Sequence, residues 1–345
     1  MKKLLFLIFL FPFLTKAQDS LYCTPRIEHG MPVKLASIGL DYQLGGFIRP
    51  ATQSNGEAWD SPMTEHSINI NGAGGLKTNV MLPVINRPGL TMQLGWNYQR
   101  YRILSYETSE IPEVSVPNYL NKKIADSPWS TSGVTLSIFK PWNKKLFTVF
   151  QGSADFNGNY TKFDYPSLPH AKYSVALLMG NKPRKNLMWA LGASRSYRAG
   201  ELVYFPIALL SWTPTPYVGI ELLLPAKASA RYIFKDKSYL MLSYELEGQS
   251  YYFARDITLN DAYPDRQFEF RKSEHRIRLN YEMPLYQFVW ASFNVGYRIN
   301  NQYNIDEFVD GKEVKRVWGN DATYFQENDL TGTMTLGFAL MVALP

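Results

Sequence analysis

The sequence is poor in the residues that build disulfide frameworks, metal centres and helical membrane anchors. Its 345 residues include one cysteine, Cys23, and four histidines. A single thiol excludes an internal disulfide, and no His/Cys group has the spacing of a zinc site. No mature segment reaches about 18 consecutive apolar residues, which excludes a transmembrane helix. No glycine-rich phosphate loop precedes a helix, so we expect no cofactor and no metal.

The N-terminus has the pattern of a secretory signal. Lys2 and Lys3 precede an apolar run from Leu4 to Leu14, and Thr15-Lys16-Ala17 fits a small-residue cleavage site. We therefore expect residues 1–17 to be a signal peptide. Small residues of the lipoprotein type do not precede the single cysteine, so we expect it to be unlipidated.

Alternation of polar and apolar residues is what the chain has in abundance. The stretch from His275 to Asn300 reads as two strands joined by a turn. Arg276, Arg278 and Glu282 share one face of the first strand, Arg298 lies on the matching face of the second, and aliphatic or aromatic residues fill the other faces. A soluble β-sandwich would show the same alternation. Long strands whose polar face mixes both charge signs favour a porin-like wall instead.

The whole chain can be read as strands joined by connections that are alternately short and long. This reading gives about 14 strands, with 12 or 16 as alternatives because residues 203–234 are hard to count. Alternating connections and an even strand number are typical of bacterial outer-membrane barrels. We predict an all-β fold: a transmembrane antiparallel up-and-down β-barrel over 33–345, preceded by an extended periplasmic lead at 18–32. Both termini would be periplasmic, and residues 108–127 would be a long outer loop.

Basic and aromatic residues cluster near the predicted periplasmic turns. Seven basic residues in these turns can reach anionic headgroups: Lys144, Lys145, Lys182, Arg184, Lys185, Lys235 and Lys237. Four tryptophans beside the same turns fit an interfacial aromatic girdle, with chance as the alternative: Trp142, Trp189, Trp212 and Trp290. The net charge of +6 therefore needs no nucleic-acid partner.

The predicted lumen faces carry acids and bases that nearly cancel, so strong ion selectivity is not implied. Pairing across an outer loop near residue 262 would bring Glu247 opposite Arg276 or Arg278, and Glu245 close to Arg278 or Asn280. Opposite charges facing each other across strands are favourable. We hypothesise a charged belt that sets selectivity in an open lumen or closes a filled one: Glu245, Glu247, Arg276, Arg278, Glu282 and Arg298.

Three groups of residues are candidates for chemistry. Ser273 and His275 lie two apart on a face that leads toward lipid, as in a lipid-cleaving site at the outer rim, but a plain polar rim patch is favoured. His66 and Ser67 are adjacent and point to opposite faces. Four acidic residues could bind Ca²⁺, although a solvated acidic loop is favoured: Asp306, Glu307, Asp310 and Glu313. We expect no enzyme.

The segment from Trp212 to Tyr232 carries a resemblance. It contains Trp212-Thr213-Pro214, Leu222-Leu223-Leu224-Pro225 and Arg231-Tyr232. In these motifs the chain resembles outer-membrane β-barrel proteins, and among them a family of signal-bearing Gram-negative barrels of unknown function, over about residues 33–345. The resemblance implies a fold and an outer-membrane location and brings no activity. The chain ends Val342-Ala343-Leu344-Pro345, whereas many such barrels end in an aromatic residue read by the assembly machinery.

Three functions remain open at this point. The leading interpretation is a passive channel or small-solute transporter of the outer membrane. The alternative is a non-conducting structural or ligand-binding barrel with a filled polar lumen, and the third is a lipid-modifying enzyme at the outer rim. The lead before the first strand is too short for a large plug domain, which argues against an energy-coupled receptor. Expected partners are outer-membrane lipids, lipopolysaccharide and the outer-membrane assembly machinery.

Overall fold

The computed structural model describes most of the chain. It describes residues 21–53, 68–108, 116–160, 170–197, 200, 202–253, 267–308 and 324–344. Several predictions fall outside these ranges: the signal peptide, the His66–Ser67 pair, Asp310 and Glu313, and the terminal Pro345.

Strands make up nearly all of the described chain. In chain order the elements are β1 Val33–Gln53, β2 Ile68–Arg87, β3 Leu90–Thr108, α1 Val116–Asp126, β4 Trp129–Pro141, β5 Leu146–Gly158, β6 Ala171–Arg184, β7 Leu187–Ser196, β8 Val203–Trp212, β9 Val218–Leu224, β10 Lys227–Ile233, β11 Tyr239–Tyr252, β12 Gln267–Tyr286, β13 Val289–Phe308, β14 Gln326–Leu330 and β15 Thr333–Leu344.

These strands close into one antiparallel barrel. Each strand from β1 to β13 pairs with its sequence neighbours, β13 pairs with β14 and β15, and both of these pair with β1. Because β14 and β15 are consecutive pieces of a single wall position, the wall has fourteen positions. The predicted all-β barrel and its strand number are confirmed.

The outward face of this wall is apolar. Exposed outward residues include Leu40, Leu94, Leu191 and Leu242, which are 61%, 48%, 60% and 56% exposed. Contact of such an apolar belt with water would cost free energy, whereas contact with lipid would not. The wall therefore has the surface of a transmembrane barrel. Within the described ranges, no helix combines the length and the apolarity that a membrane crossing needs.

The two ends of the barrel differ. One end, called the turn end, carries the short connections at 88–89, 142–145, 185–186, 213–217, 234–238 and 287–288. The opposite end, called the loop end, carries most of the longer connections, and the connection of β9 to β10 there is two residues long. β1 begins and β15 ends at the turn end, so both termini of the barrel wall lie together.

A helix occupies part of the connection that was predicted to be an outer loop. Helix α1 begins at Val116 with Pro117 in its first turn, where a missing amide hydrogen is harmless, and carries Lys123 in its last turn. Leu120 and Ile124 lie one turn apart and are fully buried. Their burial inside the barrel stabilises a helix that is too short to persist alone.

The wall narrows at the loop end. β5 and β11 meet there through Gly158 and Tyr252, and the Asn159 amide donates to the Tyr252 carbonyl at 3.3 Å. This β5–β11 pairing closes a smaller ring, made of β1–β5 and β11–β14, at the loop end. Strands β6–β10 do not take part in this ring. This ring encloses an apolar cluster around Trp129, called the loop-end core: Ile48, Ile68, Ile70, Ala73, Tyr101, Ile103, Leu120, Ile124, Ala125, Trp129, Tyr251, Phe253, Phe268, Phe270, Tyr303, Ile305 and Leu330.

The loop-end core forms because some strands switch which side chains point inward, and apolar residues then enter the barrel interior. The register of β2 with β3 is irregular around Gly72, and beyond it Ile68 and Ile70 are buried inside the barrel. Strict alternation along β2 would place these two isoleucines on the outward face, and the irregularity turns them inward. A local bulge reverses every later side chain of a strand, and a strict period of two does not reveal it.

Candidate functional site

Residues 21–32, called the N-terminal strap, lie across the turn end of the barrel. The Cys23 amide donates to the Asn143 carbonyl at 2.9 Å, and the Glu28 amide donates to the Lys185 carbonyl at 2.8 Å. The Thr213 hydroxyl donates to the Glu28 carbonyl at 2.7 Å. The strap therefore binds the turns that follow β4, β6 and β8, instead of extending freely as a lead.

Lys182 clamps the strap from the inner side of β6. Its ammonium donates to the Thr24 carbonyl at 3.1 Å, to the Thr24 hydroxyl at 2.9 Å and to the Arg26 carbonyl. Lys182 is 9% exposed, so the prediction that it reaches lipid headgroups is wrong. The other six basic residues of the predicted turns are exposed: Lys144, Lys145, Arg184, Lys185, Lys235 and Lys237.

Apolar contacts complete the closure of the turn end. Cys23 is buried in a cluster with Phe139, Phe147, Leu178 and Met188, and Ile27 of the strap packs against the same cluster. Burial raises the pKa of the Cys23 thiol, which keeps the thiol protonated near neutral pH. The strap thus covers the turn end through both hydrogen bonds and apolar contacts.

The tryptophans predicted to form a girdle divide into two groups. Trp142, Trp189 and Trp212 point outward at the turn end and are 58%, 42% and 40% exposed. Trp290 is 5% exposed and lies inside, with its ring centroid 5.8 Å from that of Tyr239. Its assignment to the girdle is wrong because Trp290 lies on the inward face of β13, at the level of the strap.

Ion pairs cross the middle of the lumen. Arg276 on β12 contacts Glu247 at 3.1 Å, Asp41 at 3.4 Å and Glu274. Lys77 on β2 contacts Glu247 on β11 at 3.3 Å, and four wall positions separate these two strands. These ion pairs therefore cross the lumen between strands that lie within six adjacent wall positions, from β11 to β2.

Glu274, absent from the predicted belt, is central to this network. It is 1% exposed and contacts Lys272 at 3.1 Å, Arg298 at 3.6 Å and Arg276. Arg276 and Arg298 are directly opposite on β12 and β13, an arrangement of like charges that is unfavourable by itself. Glu274 neutralises this pair of like charges. It lies two residues before Arg276, on the same strand face, and this spacing is the sequence feature that predicts the contact. The network is called the charged bar: Asp41, Lys77, Glu245, Glu247, Lys272, Glu274, Arg276, Arg278 and Arg298.

The strand register differs from the predicted one. Glu245 is opposite Arg276, and Glu247 is opposite Glu274. The expected ion partners still meet, because Glu245 reaches Arg278 and Glu247 reaches Arg276 diagonally.

Glu282 stands apart from the charged bar. It lies on β12 nearer the turn end, where it contacts Lys34 at 2.6 Å and accepts a hydrogen bond from Tyr239.

The charged bar borders open space inside the barrel. The side chains of Lys77 and Glu245 are each 33% exposed, and that of Asp41 is 25% exposed. Since all three point into a closed wall, this exposure is to a volume within the lumen. Charged side chains make such a volume aqueous.

Within the described ranges, Ser273 and His275 have different surroundings and do not contact each other. Ser273 is fully buried, and its hydroxyl has no hydrogen-bond partner among the described residues. The His275 ring instead bonds the Tyr244 hydroxyl at 2.9 Å. Asp306 is buried at 9% exposure and contacts Arg271 at 2.9 Å, so this acid belongs to an ion pair and not to a solvated loop.

A sequence comparison supplies the family. Residues 117–338 match the model of the "Domain of unknown function (DUF6268)". The chain belongs to the DUF6268 family. The matched region runs from α1 to β15 and contains most of the charged bar. No curated protein matches this DUF6268 chain.

Solved structures similar to this DUF6268 barrel are outer-membrane proteins. The COG4313 outer membrane channel from Pseudomonas putida F1 aligns over 96% of this chain and 100% of its own, at 11% identity and a TM-score of 0.34. The toluene transporter TodX from Pseudomonas putida aligns over 94% and 95%, at 8% identity and 0.31. The outer membrane protease OmpT from Escherichia coli aligns over 91% and 95%, at 6% and 0.23. These scores are too low to carry a functional argument.

Proposed function

We propose that this barrel is a passive outer-membrane channel for small polar solutes, closed at both ends in the described conformation. The observation that carries the proposal is the partial exposure of Lys77, Glu245 and Asp41 inside the closed wall. Charges that keep contact with water avoid much of the cost of full burial, so their partial exposure supports a solvated path beside the charged bar.

The outer membrane is the location that the architecture supports. The outward belt is apolar, the wall has an even number of positions, and short turns collect at one end. Bacterial outer-membrane barrels place short turns in the periplasm and longer loops outside. We therefore assign the turn end, with the strap and both ends of the wall, to the periplasm.

The strap at the turn end opens more easily than the loop-end core. It places only Cys23 fully inside, with Ile27 and Met31 partly buried. At about 1.5–3 kcal/mol for each fully buried apolar side chain, its apolar contacts contribute roughly 3–5 kcal/mol. The loop-end core buries 17 side chains, which is on the order of 25 kcal/mol or more by the same measure. Conduction therefore requires strap release and a separate rearrangement of α1.

Solute entry into liposomes tests this proposal. The strap is removed by deleting residues 21–31, and α1 is expelled by Leu120→Asp with Ile124→Asp, since both side chains are fully buried. We expect slow swelling for the wild type and for each variant alone, and fast swelling in a small sugar when both changes are combined. Lys122→Asp, an exposed change on the same helix, is the control and should leave swelling unchanged.

A non-conducting barrel is the second candidate, and the size of the loop-end core favours it. This candidate predicts that the combined variant folds, as shown by heat-modifiable mobility in gels, and still admits no solute. Fast swelling of the strap deletion alone would show instead that the loop end is already permeable.

A further inference from the structure

Two arginines stand on the lipid-facing side of β3. Arg100 and Arg102 are exposed and share the outward face with Leu94 and Trp96, which are 48% and 43% exposed. Arg100 lies four residues beyond Trp96 toward the loop end. That is roughly 13 Å along the strand, or about 10 Å along the membrane normal at a typical strand tilt.

Neither arginine has an ion-pair or hydrogen-bond partner within the described part of the chain. An unpaired arginine on the lipid face costs about 2–4 kcal/mol at mid-bilayer and almost nothing at the interface. The pair is therefore more stable at the level of the headgroups than within the apolar belt, and Leu104 continues the outward face beyond it.

The wall beside the arginines is shaped by glycine. Gly74 on β2 is directly opposite Arg102, and Gly72 is the next outward position. A Cβ added to Gly72 would fall 2.5 Å from the Tyr42 hydroxyl, so a larger residue there would displace the end of the Tyr42 side chain from its place across β2. The Tyr42 side chain is 40% exposed. Two guanidinium groups and a phenol thus face the same patch of membrane interface.

We propose that Arg100, Arg102 and Tyr42 bind the phosphate groups of the lipid moiety of lipopolysaccharide in the outer leaflet. Guanidinium forks bind phosphate through two parallel hydrogen bonds, more specifically than a lysine ammonium does. The acyl chains of the same lipid would lie against Leu94 and Trp96 below. This inference rests on the proposed location, which places the loop end of β3 in the leaflet that carries these phosphates.

The test compares lipid A binding by two charge-matched variants in detergent. One is Arg100→Gln with Arg102→Gln. The control is Lys144→Gln with Lys145→Gln, two exposed residues at the opposite end of the barrel. Native mass spectrometry measures lipid A bound per barrel. We expect about tenfold or greater weakening for the arginine variant, since charge-assisted hydrogen bonds to each phosphate are lost, and wild-type binding for the control.

Two comparison ligands, dephosphorylated lipid A and inorganic phosphate, show which part of lipid A the site binds. Dephosphorylated lipid A should bind the wild type and both variants equally weakly, and inorganic phosphate should not compete at the lipid concentration. Equal binding of lipid A by wild type and arginine variant, in a barrel that fractionates with the outer membrane, would overturn this site and leave the location intact. A barrel that fractionates elsewhere would overturn both.

Discussion

Release of the strap can be measured through the single thiol of the chain. Lys182 holds Thr24 and Arg26 with one ammonium group, and Cys23 is buried beside them. Lys182→Met keeps a side chain of similar length and removes all three hydrogen bonds. The closed strap should then open more often, and each opening exposes Cys23 to a maleimide reagent.

The size of the effect follows from these contacts. A hydrogen bond to a charged group contributes about 1.5–3 kcal/mol. Thr24 and Arg26 are exposed, so their carbonyl groups regain water when the lysine is absent. We therefore expect a loss of about 2 kcal/mol for the whole clamp, which raises the open fraction of the strap about thirtyfold.

The assay follows alkylation of Cys23 in folded, detergent-solubilised barrel at pH 8. When closing is faster than alkylation, the rate is proportional to the open fraction. Lys144→Met removes an exposed lysine from a neighbouring turn and should alkylate at the wild-type rate. If Lys182→Met also alkylates at the wild-type rate, the clamp does not hold the strap and the reasoning is refuted.

Three further changes test the wall and its interior. Leu94→Arg should reduce folding yield in lipid more than Gln93→Arg, because an arginine on the lipid face costs about 2–4 kcal/mol and a lumen position stays solvated. Arg276→Met should lower the free energy of unfolding by about 3–5 kcal/mol, since it leaves Glu274 and Glu247 with fewer partners, and the unfolding temperature should fall accordingly. Trp290→Ala should cost about 3–5 kcal/mol of stability in urea unfolding, because its ring is buried.

Each of these changes has a matched control. Lys34→Met removes one ion partner of Glu282 and leaves the hydrogen bond from Tyr239 in place, so it should cost less than Arg276→Met, which affects several acids. Trp142→Ala removes an exposed ring and should change stability in detergent little. Equal losses for Arg276→Met and Lys34→Met, or for the two tryptophan variants, would contradict the assigned burial. Equal yields for Leu94→Arg and Gln93→Arg would contradict the assigned faces.

The barrel wall was predictable because its signal repeats along every strand. On β3, for example, Leu94 and Trp96 alternate with Gln93 and Asn97 without interruption. A period of two reports the face of each side chain wherever the register is regular. Connection lengths then predicted the strand number and a wall that begins and ends at the same end of the barrel.

The segments and side chains that occupy the lumen were not predictable in the same way. Nothing in the alternation shows that Ile68 and Ile70 turn inward, because that depends on a register irregularity at Gly72. The strap and α1 are short segments, and contacts with residues distant in sequence hold them in place. Lys182 illustrates this: its partners are 156 and 158 residues away, so a rule about turns placed it at the membrane surface.

Single-channel recording in planar bilayers tests the central claim most directly. The protein to record is the barrel that lacks residues 21–31 and carries Leu120→Asp with Ile124→Asp. A channel closed at both ends predicts steady ohmic steps for this variant and near silence for the wild type. Silence from the folded variant under the same voltages would contradict the claim and identify a barrel whose interior is permanently filled.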